Sequence, residues 1–168
     1  TLFRSGFSIV ALNDLADLAS LEYLTRFDST HGVFPGTVDV DGDNLIVNGR
    51  TIQVSHATMP EDVDWKALGA DLVIECSGRY GQRPALERFL AAGCPRLLVS
   101  HPCASADAVD RTVVYGFNHQ SLDGRERIVS NASCTTNCLA PLAKVLHEGI
   151  GIVHGLMTTV HAYTNDQV

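Results

Sequence analysis

The segment SNASCTTNCLAPLAKVLHEG, residues 130–149, places Cys134 directly after a serine and at the start of a helical pattern. Ser133 is a suitable N-cap and Gly149 a stop signal, so the segment from Ser133 to Glu148 reads as a helix with the thiol in its first turn. Free N–H groups and the positive end of the helix dipole meet there. The dipole is worth about 0.3–1 kcal/mol, against 1.36 kcal/mol per pKa unit, so a thiolate nucleophile needs a second, cationic partner. His161, in GLMTTVHAYTND, stands near the end of a β-branched run that reads as a strand. Cys134 as nucleophile and His161 as activating base form the candidate catalytic pair. The bland alternative is a small buried thiol and a structural imidazole. Cys138, one turn deeper, lacks free N–H groups and is expected to be packed.

The bulk properties narrow the classes. The 168 residues are 45% hydrophobic, which suits a domain with a real core. A net charge of −7 argues against a nucleic-acid surface. No apolar run reaches the roughly 20 residues a bilayer requires, and TLFRSGFSIV does not read as a signal peptide, so a cytoplasmic protein with no membrane partner is expected. Five scattered cysteines without a CxxC pair exclude a disulfide framework and a zinc ribbon, and no metal site is expected.

The elements that must hold the pair follow from local pattern. FSIVALND (7–14) reads as a buried strand and LADLASLEYLTRFD (15–28) as a helix. GTVDV, LIV and TIQVSH, separated by DGDN and NGR, read as an antiparallel excursion. Next come the strand ADLVIECSG, the helix RPALERFLAAG closed by Gly93, and the strands RLLVSH, RTVVYGFN and ERIVSNA. Strands alternating with helices imply an α/β fold with a mostly parallel sheet, with ligands beyond the strand carboxyl ends. Asp14, Gly78, Ser100 and Asn131 fall at those ends. Pro141, which cannot donate to the Asn137 carbonyl, is expected to kink the last helix.

SNASCTTNCLAPLAKV followed by GLMTTVHAYTNDQ resembles the catalytic signature of the phosphorylating glyceraldehyde-3-phosphate dehydrogenase family, including the spacing of cysteine and histidine. ALNDLAD, DLVIECSGRY and VSHP extend the resemblance over essentially the whole chain. The resemblance implies a Rossmann-type doubly wound parallel sheet over residues 1–133 and the start of an α+β catalytic domain over 134–168. It implies NAD as cofactor, a small phosphorylated aldehyde and inorganic phosphate as partners, and a homotetramer for the full-length enzyme. By this likeness Ser133, Cys134, Thr135 and Thr164 bind substrate and phosphate groups, with Asp166 near the same anion site. Asp14 holds the adenosine ribose, and Ser77, Gly78 and Ser100 line the cofactor groove. A carboxylate at Asp14 repels a 2′-phosphate by about 4 kcal/mol per unit charge at ~4 Å and an effective dielectric of 20, which favours NAD over NADP.

Three departures accompany the likeness. Thr58 stands where the family has an arginine on the adenine side. VSHP and ECSGRYGQR lean toward the related erythrose-4-phosphate dehydrogenases, whereas VHAYTND leans toward the glyceraldehyde enzyme. The family's first strand and GxGxxG-type loop have no counterpart in these residues, and the chain stops before most of the substrate domain. A truncated chain with little activity and weak NAD affinity is therefore expected, with open edges on FSIVALND and DLVIECSG. Two other readings compete: a non-catalytic binding module, and a cysteine hydrolase. The hydrolase leaves Asp14 and Gly78 without a purpose.

Overall fold

Two glycine-bearing turns shape the first third of the molecule. Asn48 and Gly49 both have positive φ (51° and 74°), the backbone that a two-residue hairpin of strands with native twist requires. Gly42 (φ 56°) takes the first central position of the preceding turn. They join β4 (Val38–Asp41), β5 (Asn44–Val47) and β6 (Arg50–Ser55) into an antiparallel meander, with Leu45 opposite Ile52 and Val38 opposite Val47. This period-two pattern puts Val38, Leu45, Val47 and Ile52 into one buried cluster. β1 (Ala11–Asn13) then pairs in parallel with β6, bringing Ile9 and Leu12 onto that cluster.

The computed structural model describes residues 6–161. Between β1 and β4, the Asp17 side chain accepts the Ser20 N–H at 2.7 Å and caps α1 (Leu18–Arg26), which buries Leu21. A short ribbon follows, formed by β2 (Phe27–Asp28) and β3 (Gly32–Val33). The expected strand over 7–14 is shorter, at three residues, because only that part lies alongside β6.

The chain divides into two compact units. One takes the residues up to Val73 together with Pro84–Leu97; the other takes Ile74–Arg83 and the chain from Leu98 onward. A second four-stranded sheet has the order β7-β8-β10-β9, with β7 Val73–Glu75, β8 Leu97–Val99, β9 Arg111–Thr112 and β10 Ile128–Ser130. Bonds from Val73 N–H to Arg96 O and from Ser100 N–H to Glu75 O advance together along β7 and β8, so these strands are parallel. β9 and β10 are parallel as well. Parallel strands interleaved with helices give the Rossmann-type α/β class expected from the sequence. β1 and β7 are each the terminal strand of their sheet.

In the first unit, Trp65 packs on Phe89 of α2 (Arg83–Ala91) and donates its indole N–H to Pro60 O at 2.9 Å. Gly93, at φ 95°, lets the chain leave α2 and return to β8.

In the second unit, α3 runs from Cys134 to Ile150. Three expectations change here. Gly149 lies inside the helix, and the stop falls at Gly151, whose positive φ (77°) turns the chain away. Pro141 lies within the helix, which continues past it. RTVVYGFN contributes only Arg111–Thr112 as strand, because the chain turns at Gly116 (φ 83°). The strand expected around His161 does not form: residues 154–161 have no regular structure, and no strand among the described residues offers them a ladder. Among the described residues no helix is long and apolar enough to cross a membrane.

Candidate active site

Cys134 is the first residue of α3 and is exposed, as a nucleophile must be. The local sequence accounts for the helix start. Ser133, extended at φ −90° and ψ 161°, accepts the Thr136 N–H at 3.0 Å and lies 2.7 Å from the Thr136 hydroxyl. Asn137 reaches back from the second turn and donates its amide to Asn131 O at 2.6 Å and Ser133 O at 3.0 Å. Both ends of the strand-to-helix connection are thereby tied. The Cys134 sulfur takes no hydrogen bond among the described residues and is exposed.

His161 is brought to this same first turn. Its Nε2 lies 3.2 Å from the Thr135 hydroxyl, so the imidazole is held through the residue next to the thiol. The expected direct Cys134–His161 bond is not the contact made among the described residues; the imidazole meets the neighbouring Thr135 hydroxyl instead. Ser133, Cys134, Thr135 and His161 thus gather at one helix start, where N–H groups and short hydroxyls suit an anionic or polarised oxygen. Thr164 and Asp166 lie outside the described residues. Cys138 is exposed, not packed, because no described residue covers its face of α3.

The cofactor candidates sit where strand ends were expected. Asp14 follows β1 and is exposed. Its Oδ1 accepts the Ala16 N–H at 2.9 Å, while Oδ2 takes no hydrogen bond among the described residues and can receive a ribose hydroxyl. In the other unit, Ser77 and Gly78 follow β7 and Ser100 follows β8, all exposed. Gly78 has φ 75°, and nothing lies within 4 Å of where a Cβ would be, so the backbone is open to close approach. The chemistry of each group fits a dinucleotide. Thr58 is exposed and brings no charge. Among the described residues no group of three histidine, cysteine, aspartate or glutamate side chains could hold a metal ion.

Sequence reasoning missed Glu75, His101 and Ser130. Glu75 and Ser130 are the buried polar side chains of the described residues. The signal was present: an acidic residue inside the apolar run DLVIECSG and a histidine directly after RLLVS.

Residues 1–83 match the family model described as the NAD-binding domain of glyceraldehyde 3-phosphate dehydrogenase, and residues 133–168 match that of its C-terminal domain. A glyceraldehyde-3-phosphate dehydrogenase of Pseudomonas aeruginosa is 51% identical over 165 residues, covering 98% of this chain and 48% of the relative. The plasmid-borne enzyme of that name from Cupriavidus necator is 48% identical over 165 residues, with the same coverage. One from Geobacillus stearothermophilus is 47% identical over 160 residues, covering 95% of this chain and 47% of its own length. The fold and the first of these matches define a chain with an NAD-binding domain of Rossmann type. The chain belongs to the glyceraldehyde-3-phosphate dehydrogenase family, and it spans about half the length of the curated relatives it matches.

Proposed function

We propose that this chain carries the nucleophilic half of an NAD-dependent, phosphorylating oxidation of glyceraldehyde 3-phosphate to 1,3-bisphosphoglycerate, as in glycolysis. The observation that carries the reading is an exposed Cys134 at the first position of α3, with His161 held to the same turn through Thr135. The Cys134 thiolate adds to the aldehyde carbon, forming a C–S bond as the C=O π bond opens; the oxygen takes a proton from protonated His161, and the imidazole takes it back as hydride leaves the carbon. NAD, when bound, supplies the acceptor for the hydride leaving that carbon. The Cys134 thioester is then attacked by inorganic phosphate, the C–S bond breaks, and the thiolate is restored. Ser133, Thr135 and Thr164 bind substrate and phosphate oxygens, and N–H groups at the start of α3 stabilise oxygen charge. Asp14, Ser77, Gly78 and Ser100 hold the cofactor. Residues 1–133 are the cofactor domain and 134–168 begin the catalytic domain; the complete enzyme is a homotetramer.

A second reading, oxidation of erythrose 4-phosphate, rests on the likeness of the VSHP and ECSGRYGQR segments to the relatives that oxidise that aldehyde. Turnover of the two aldehydes by the complete enzyme separates the readings.

The 168-residue chain alone is proposed to have little activity and weak NAD affinity; micromolar binding in an NAD titration would refute this. For the site itself, iodoacetamide should modify Cys134 at least about ten-fold faster than Cys138, which is also exposed, as a partner-activated thiolate requires. Equal rates would leave a binding module as the better account.

A further inference from the structure

The buried polar side chains Glu75 and Ser130, exposed by 5% and 0%, have no part in the chemistry proposed above. They belong to one chain of hydrogen bonds. Glu75, the last residue of β7, accepts the Ser77 N–H at 2.7 Å and the Ser77 hydroxyl on one oxygen; the other faces His101 Nε2 at 3.0 Å. The His101 Nδ1 faces the Pro102 carbonyl at 2.9 Å, so acceptors grip the ring on both sides. His101 in turn accepts the Ser130 hydroxyl on its own carbonyl at 2.8 Å, and Ser130 Oγ accepts the Ala132 N–H at 3.1 Å.

Ala132 is the point of strain. Its φ is +58°, a conformation that residues with a Cβ rarely adopt without support, and it is 5% exposed. Ser133 and Cys134 follow at once. We infer that Glu75, His101 and Ser130 form a positioning network that holds the left-handed turn at Ala132 and so fixes the helix start presenting Cys134. This rests on the reading of Cys134 as nucleophile. Cys103, beside the network, is no competing thiolate: burial pushes its thiol up, a hydrogen bond with Ser130 pulls the other way, and the Glu75 charge pushes it up again.

Glu75→Leu removes the acceptors for Ser77 and His101. Glu75→Gln keeps the size, can accept from Ser77 and can donate to a neutral His101 Nε2, so it should rescue. Two measurements on the 168-residue chain decide: amide exchange at Ala132, and the ratio of iodoacetamide rates at Cys134 and Cys138. Ser130→Ala and Glu75→Leu should each speed Ala132 exchange and lower the ratio by about five-fold, the worth of one lost hydrogen bond. Glu75→Gln should stay within about two-fold of the unmodified chain. Protection of the buried Ile128 amide, bonded to Asp110 at 2.9 Å, reports that the unit remains folded. Should Ser130→Ala lose that protection, the Glu75 pair decides alone. Unchanged exchange and ratio in Glu75→Leu, or equal losses in Glu75→Leu and Glu75→Gln, would overturn the inference. Equal rates at Cys134 and Cys138 in the unmodified chain would instead remove the nucleophile reading, and Ala132 exchange would still decide whether the network holds the turn.

Discussion

The β4–β6 meander and α3 are both made of apolar residues at regular spacing, yet they end in opposite states. The meander closes on itself: Val38, Leu45, Val47 and Ile52 are buried, with β1 and Phe34 against them. α3 has no buried residue over its 17 positions, and past it Val153 and Val160 are 96% and 94% exposed. A hairpin meander needs partners only a few residues away. An amphipathic helix and a β-branched run need a surface or a ladder from elsewhere. The Cys134 end of α3 is nonetheless ordered, because Ser133, Asn137 and Ser130 tie it locally.

The largest effect should come from attacking the closed region. Leu45→Ala or Ile52→Ala should cost about 2–5 kcal/mol in denaturant unfolding, since each leaves a cavity in a filled cluster. Val145→Ala, on the exposed side of α3, should change stability by no more than about 0.5 kcal/mol. A comparable loss at Val145 would break the contrast between the two regions. A middle-sized effect is expected at the tie itself. Ser133→Ala removes the cap and should cost about 1 kcal/mol of local stability, read as faster exchange of the Thr136 amide with the meander amides unchanged.

The smallest effect concerns acid. Burial works against ionisation of Asp110, but the Arg83 guanidinium at 2.6 Å and the N–H groups of Ile128 and Arg127 prevail and hold its carboxyl below the ordinary 3.8. Its folded-state pKa is depressed, so its contribution is complete above the unfolded value and disappears as pH falls through the lower folded value. The stability gap between the unmodified chain and Asp110→Asn should therefore be constant above about pH 5 and shrink below about pH 4. A gap that grew on acidification would show that the pairing is not as described.

Legibility followed range of interaction. The Asn48–Gly49 turn and the Ser133 cap were readable because their chemistry lies within three or four residues. The helix end was misplaced because two glycines compete within three positions, and only Gly151 takes the left-handed backbone. The run near His161 has strand composition, but composition does not supply a neighbouring strand. The place of Cys134 at a helix start and of Asp14, Ser77, Gly78 and Ser100 just past strands was legible from pattern and family likeness. Glu75, His101 and Ser130 were not, since residues 55 positions apart meet only after the sheet forms.

Position 132 carries a consequence for the repertoire of substitutions the protein can accept. The positive φ there disfavours β-branched and bulky side chains, and burial to 5% exposure leaves little space for a longer one. The residue two places before Cys134 is therefore constrained twice over, by its dihedral and by its surroundings.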